Sequence, residues 1–249
     1  MKSTGQIFIG TSGWSYKHWK AIYYPSDIKA RDWLSFYTTD FGVTEINSSF
    51  YLLPKPTTVE AWSEAVSGNF KFCPKMSRFL SHMKKLNEPH EPMERFFNAF
   101  SSLKRKLGPV LIQLPAKLAF HPAKISAFYE LCSGPYKKYN FAIEVRHESW
   151  MSKESIQLMQ KHNIAFVIAQ SGIGLPYGEL VTAKHIYVRF HGPRELYASG
   201  YSDEELTHFA KLFKQWSKKG HDVWAFFNND IHGFAIRDAK KLKQLLGDK

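Results

Sequence analysis

Cysteine is nearly missing: Cys73 and Cys132 are the only two in 249 residues. They stand far apart with no companion at metal-ligand spacing, which excludes a disulfide framework and a structural zinc site and suits a reducing compartment. Both are expected as buried thiols. No apolar run approaches the roughly 20 residues that cross a bilayer, and the first residues run through polar Lys2, Ser3, Thr4, Gly5 and Gln6 instead of the apolar stretch of an export signal. The expectation is a soluble, cytoplasmic protein with no membrane partner. Gly/Ser-rich or Pro-rich linkers and low-complexity tracts are also missing, so residues 1–249 read as one domain. Glycine is too sparse after the first apolar run for a dinucleotide turn: Gly10-Thr11-Ser12-Gly13-Trp14 has no third glycine and no later acidic partner.

Acidic residues are the other shortage, with Asp and Glu at 22 against Lys and Arg at 34, a formal charge of +12. Such a surplus favours anionic partners at long range, nucleic acid included. Most of it falls in helical patterns such as Lys104-Arg105-Lys106, Lys137-Lys138, Lys218-Lys219 and Lys240-Lys241, where a solvated outer face is the commoner explanation. There is no helix-turn-helix, RNA-recognition or zinc-finger signature, so a nucleic-acid-binding module rests on net charge alone.

What the chain does have is a series of eight apolar runs that lead into polar or charged residues. They are Phe8–Ser12, Val43–Asn47, Phe70–Lys75, Val110–Gln113, Phe141–Arg146, Ala165–Gln170, Ile186–His191 and Val223–Asn228. The runs are continuous and rich in Val, Ile and Phe, as in parallel strands covered on both faces. Between them lie apolar residues at helical spacing. Thr57 with Glu60 and Ser202 with Glu205 have capping-box spacing. Gly220 closes the second of these helices, and Gly108 is expected to stop a stripe running from Met93 to Leu107. Strand and helix alternating over this length fit an α/β fold, either an open doubly wound sheet or a single-domain (β/α)8 TIM-type barrel with parallel strands inside and helices outside. The count of runs favours the barrel.

The same residues resemble a known family, the YecE-like proteins of DUF72 (domain of unknown function 72). The resemblance is carried, in order, by GTSGWSYKHWKAIYYP from Gly10 to Pro25, EINSSFY from Glu45 to Tyr51, FKFCPKMSRFLSH from Phe70 to His82, and LGPVLIQLP from Leu107 to Pro115. It continues with AIEVRHESW from Ala142 to Trp150, YVRFHGP from Tyr187 to Pro193, YSDEEL from Tyr201 to Leu206 and FNNDIHGFA from Phe227 to Ala235. Several motifs in fixed order over nearly the whole chain are far more specific than any one of them. The chain departs from the pattern at Pro74, just before Lys75, and at Asp238, where asparagine is usual. The resemblance implies a (β/α)8 barrel with its site at the barrel mouth, and it supplies no particular reaction.

Side chains alternate across a strand, so Glu45 with Asn47 and Ser49, Glu144 with Arg146, Arg189 with His191, and Phe226 with Asn228 share sides. On a barrel these sets point inward near the carboxyl ends of the strands, together with Lys75, Gln113 and Gln170, where such folds build active sites. Glu45, Glu144 and His191 are the acid–base candidates. Ser12, Trp14, Asn47, Lys75, Gln113, Arg146, Arg189, Asn228 and Asn229 are the candidates for holding a substrate. The competing reading is a closed polar network, with Glu45 paired to Lys75 and Glu144 to Arg146.

Lys75, Arg146 and Arg189 outnumber Glu45 and Glu144, so the pocket should prefer a carboxylate or phosphate. The leading expectation is a metal-independent isomerase, lyase or hydrolase acting on a small anionic, hydroxylated metabolite: a sugar phosphate, a sugar acid or a nucleotide-like molecule. No cofactor is predicted. A metal-dependent sugar isomerase or endonuclease-like hydrolase is the alternative, with Glu45, Glu144, His191 and Asp230 as its donors, although the interleaved cations oppose it. Trp14, Phe50, Tyr51, Trp150 and Tyr201 are rings placed to stack at the mouth or to pack between loops.

Overall fold

The computed structural model describes residues 3–172 and 174–247. Its centre is eight parallel strands: β1 (Ile7–Thr11), β2 (Val43–Ile46), β3 (Lys71–Pro74), β4 (Val110–Gln113), β5 (Phe141–Glu144), β6 (Ile164–Gln170), β7 (His185–Phe190) and β8 (Asp222–Phe227). They lie in the order β3-β2-β1-β8-β7-β6-β5-β4. The isolated bridges Phe72↔Leu107 and Lys75↔Leu111 join the two ends of that order, so the sheet closes on itself as a barrel.

Outside it lie α1 (Trp33–Tyr37), α2 (Pro56–Glu64), α3 (His90–Ala99), α4 (Pro122–Ser133), α5 (Lys153–Lys161), α6 (Asp203–Lys218) and α7 (Phe234–Leu246). Helix does not follow strand throughout. Between β6 and β7 the described residues of 171–184 form no helix, and the returning chain is tied to β6 by Thr182, whose hydroxyl donates to Ile164 O and accepts from Phe166 N. Among the described residues no helix is long and apolar enough to cross a membrane.

Two apolar layers follow from the two-residue period of the strands. Val43, Cys73, Leu111, Ala142, Ala165, Val167, Ala169, Tyr187, Trp224 and Phe226 fill the barrel interior. Their neighbours Ile46, Phe72, Ile112, Ile143, Phe166, Ile168, Val188, Phe190 and Phe227 face the helices. Small alanines on β5 and β6 share this interior with the large rings of β7 and β8, a mixture of sizes that suits close packing. Both cysteines are buried and free, Cys73 inside the barrel and Cys132 on α4.

Local end signals were read with mixed success. Ser202 and Glu205 form the capping box of α6, and Gly220 adopts φ 87° just beyond its end. Thr57 and Glu60 do not form one, because Pro56 occupies the first turn and starts α2 after Lys55; a proline there presets the helical φ. Gly108 is not a helix stop either. The stripe from Met93 to Leu107 is split into α3 and a 3-10 stretch, Ser101–Lys106. Gly108 instead lets β4 abut β3: its N–H donates to Phe72 O at 2.8 Å, and a Cβ there would lie 2.6 Å from Cys73 Sγ.

The seam between β1 and β2, paired at Thr11↔Thr44, adds a side chain to its ladder. The Tyr37 hydroxyl accepts from Thr11 N at 3.0 Å and donates to Val43 O at 3.0 Å. Gly10 makes this possible, since a Cβ at that position would sit 2.1 Å from Val43 O and 3.1 Å from the Tyr37 hydroxyl. Backbone cannot swing aside as a flexible side chain can. Gly10→Ala is therefore expected to destabilise the fold by about 3 kcal/mol or more, at the upper end of overpacking costs, measured by urea unfolding; a loss under about 1 kcal/mol would show that the seam is not held this tightly.

Candidate active site at the barrel mouth

The inward phase that fills the barrel with apolar side chains carries polar ones at its carboxyl end. Val43 is followed two residues on by Glu45, Cys73 by Lys75, Leu111 by Gln113, Ala142 by Glu144 and Tyr187 by Arg189. Arg189 is their hub. Its Nε and Nη2 each donate at 2.9 Å to the two oxygens of Glu45, a bidentate pair, and its Nη1 donates to Glu144 Oε2 at 2.6 Å. Glu45 also accepts from Tyr187 at 2.8 Å and from the Ser12 hydroxyl. Glu45, Arg189 and Glu144 are all essentially without solvent exposure.

Glu144 is further bound by Arg146 Nη2 and by Gln113 Nε2 at 2.9 Å. Burial pushes its carboxyl upward, but Arg189, His191 and Arg146 outweigh that and hold it well below the usual carboxylate range. His191 brings Nε2 to 3.5 Å from Glu144 Oε1, while its Nδ1 lies 3.1 Å from Asn228 Nδ2. An amide nitrogen can only donate, so Nδ1 is the acceptor and the proton sits on Nε2, facing the carboxylate. Burial lowers the imidazole below its ordinary value despite Glu144.

Lys75 is the exception in this ring. Glu45 and Glu144 pair with arginines, and the expected Glu45–Lys75 pair does not form. Lys75 Nζ donates instead to Gln113 Oε1 at 2.9 Å and lies 4.3 Å from the centre of the Phe50 ring. It is only 9% exposed. Burial, with Arg189 adding to it, lowers its ammonium to about 8.

Other predicted residues lie elsewhere. Gln170 falls out of phase with inward Val167 and Ala169, and its side chain accepts from Tyr201 on the helical side. Asn229 is likewise one residue past inward-facing Asn228; it is buried and donates to Ser199 O and Asp238 Oδ2. The Trp14 ring meets Trp62 and Phe72 edge-on, which places it outside the strands. It still borders, with Ser12, Asn47, Tyr51 and Trp62, a cleft of about 710 Å3 that reaches Glu45. Asn47 Nδ2 donates to Ser12 O at 2.9 Å. Trp150 and Tyr201 are buried packing rings; Phe50 and Tyr51 remain at the mouth.

The sequence did not single out His18. It lies after β1 with Nε2 2.7 Å from Asp230 Oδ2, and Trp19 Nε1 binds the other oxygen at 2.6 Å. With Tyr16, Tyr197 and Asn228 this pair borders a second cleft of about 270 Å3. Asp230 is therefore engaged away from Glu45, Glu144 and His191. Among the described residues no three of His, Cys, Asp and Glu gather as a metal-binding group.

A family model described as "Protein of unknown function DUF72" matches residues 8–249. The UPF0759 protein YecE of Escherichia coli K12 is 30% identical over 237 residues, spanning 86% of this chain and 80% of that protein. The UPF0759 protein YunF of Bacillus subtilis 168 is 26% identical over 270 residues, spanning 96% and 94%. A DUF72 family protein from Thermotoga maritima superposes with a TM-score of 0.86 at 27% identity over 98% of this chain and 100% of that one. One from Enterococcus faecalis superposes with 0.83 at 21% identity over 98% and 96%, a likeness of fold.

Arg189→Met leaves two buried carboxylates without their partner and is expected to cost about 3–5 kcal/mol in urea unfolding. Lys75→Met strands no charge and is expected to change stability by no more than about 1 kcal/mol. The folded-state pKa of Lys75 is depressed, so between about pH 8 and the ordinary lysine value near 10.4 the unfolded chain binds a proton that the native one does not. Stability of the wild type relative to Lys75→Met should therefore rise across that window; a flat difference would contradict the depressed value.

Proposed function

The chain belongs to the DUF72 family, and for it we propose a metal-independent enzyme that takes a small anionic, hydroxylated metabolite at the barrel mouth and acts by acid–base chemistry. The observation that carries this reading is Lys75, an ammonium nine-tenths buried with no carboxylate among the described ion pairs. Three cations, Lys75, Arg146 and Arg189, face two carboxylates, Glu45 and Glu144, which leaves 3 − 2 = 1 positive charge while His191 is neutral. A desolvated charge without a counterion is costly, and a bound anion removes that cost.

In this reading Lys75 and Arg146 hold the carboxylate or phosphate. Asn47, Gln113 and Asn228 meet hydroxyls or carbonyls, and Ser12 and Trp14 border the cleft beside them. His191, backed by Glu144, transfers protons. Glu45 acts through Arg189, since both of its oxygens are already bound to neighbouring side chains. Metal-dependent chemistry has less support, because an arginine stands between the two carboxylates that would have to share the ion.

A panel of sugar phosphates, sugar acids and nucleotides is expected to contain anions that raise the melting temperature at pH 7. Since the ammonium form is the receptor, affinity should fall as pH rises through about 8. Losing one charge-assisted hydrogen bond, worth about 1.5–3 kcal/mol, predicts at least about tenfold weaker binding in Lys75→Met. No stabilisation by any anion, or equal affinity in the variant, would sink the proposal.

A further inference from the structure

We propose that Lys75 is a nucleophile that forms an imine with the carbonyl carbon of its substrate, so that the metabolite taken at this mouth is an aldehyde or ketone bearing a carboxylate or phosphate. This rests on the reading of the mouth as an anion site and narrows it to one class of anion.

Position comes first. The backbone N–H of Lys75 donates to Ile46 O at 3.0 Å, and the Ser49 hydroxyl donates to Lys75 O at 2.6 Å, so the root of the side chain is fixed between the ends of β2 and β3. Its nitrogen is held by a single acceptor, Gln113 Oε1. That amide cannot be turned over, because Gln113 Nε2 is committed to Glu144 Oε1. The Phe50 ring packs on the same nitrogen and presents no lone pair to compete for a proton. A neutral amine in this place keeps its hydrogen bond by donating to Gln113 and leaves its own lone pair uncommitted. Burial and the neighbouring guanidiniums favour that neutral form, lowering the group to about 8. Glu144 joins Gln113 to Arg146, so a guanidinium stands three hydrogen bonds along this chain from the amine to take the anionic end of a short substrate.

The chemistry balances without a co-reactant. An ammonium and a carbonyl give an iminium and water: the carbon–nitrogen double bond forms, the carbon–oxygen double bond breaks, and the oxygen leaves with two of the protons that nitrogen carried. Charge at the nitrogen is the same before and after, so the surrounding Arg189, Arg146 and Glu144 meet an unchanged field. The remaining N–H can stay on Gln113 Oε1. Attack itself requires the deprotonated amine.

The full-length protein is incubated at pH 7 with pyruvate, glyoxylate or glycolaldehyde phosphate, with acetone as a neutral control, and each mixture is treated with cyanoborohydride, which reduces an iminium to a stable amine. Intact mass and peptide mapping locate the adduct. A lysine near 8 has on the order of a hundredfold more free amine at pH 7 than an ordinary one. One adduct per chain is therefore expected at Lys75 before any surface lysine is modified, with an anionic probe preferred over acetone. Lys75→Arg keeps a cation but has no such amine and is expected to lose the adduct; its melting curve checks that it folds, and the wild-type peptide map stands without it. Adducts confined to surface lysines, or Lys75 labelled no faster than they are, would overturn the proposal. If anions still raise the melting temperature in that case, the anion site survives and only the imine falls; if they do not, both fall.

Discussion

One guanidinium organises this barrel. Arg189, on β7, reaches two carboxylates that arrive from β2 and β5, and its planar fork gives Glu45 both hydrogen bonds of a bidentate pair while the remaining nitrogen takes Glu144. None of the three can be removed singly without leaving a charge in a dry interior. Around them Ser12, Tyr187, Gln113 and Arg146 hydrogen-bond to the two carboxylates, so the centre of the mouth is a connected network, with His191 Nε2 3.5 Å from Glu144 at its edge. At its border stand Lys75 and the amides of Asn47 and Asn228, the groups to which the proposed chemistry falls together with His191 and Gln113.

This arrangement reconciles two readings that look opposed. The closed polar network is present, and the proposed binding site lies over it. The inner tier, Glu45–Arg189–Glu144, carries one negative charge that Arg146 offsets, and its hydrogen bonds tie the ends of β2, β5 and β7 together. The outer tier carries one more cation than the inner tier needs, and that cation is the one with an amide and an aromatic face for company in place of a carboxylate. A purely structural cap would have no reason to keep an ammonium at that depth when methionine would fill the same space at lower desolvation cost.

The two-residue period of the strands was enough to place Glu45, Lys75, Gln113, Glu144 and Arg189 on one side, because burial on both faces keeps the register strict. The same rule, carried to the last residues, sets two apart. Gln170 and Asn229 were grouped with the ring by chemistry, whereas their phase against Val167 and Phe226 puts them with the helices. Trp14 lies past the end of β1, where alternation no longer applies; its ring meets Trp62 and Phe72 while it still borders the cleft that reaches Glu45. Which partner each charge would choose was not legible at all. Glu45 lies beside Cys73 in register, next door to Lys75, yet it is claimed by an arginine from across the barrel, and no local pattern reports a contact spanning 144 residues. The pairing of His18 with Asp230, over 212 residues, is illegible on the same ground. The missing helix after β6 was hidden by base expectation for the fold, since 171–184 is long enough to have held one.

The barrel is not equally stiff all the way round. Where β3 meets β4 the sheet is joined by isolated bridges, Phe72↔Leu107 and Lys75↔Leu111, while β7 and β8 run in continuous register from His185↔Asp222 to Phe190↔Phe227. Lys75 and Gln113 belong to the two sides of that sparse junction, one on each. Small sliding or parting of β3 from β4 sacrifices few main-chain bonds, and it alters the separation of these two side chains before anything else in the ring. The junction of β3 and β4 is thus one yielding seam of the cylinder, set beside Lys75 and Gln113, with the continuous β7–β8 wall opposite as the anvil.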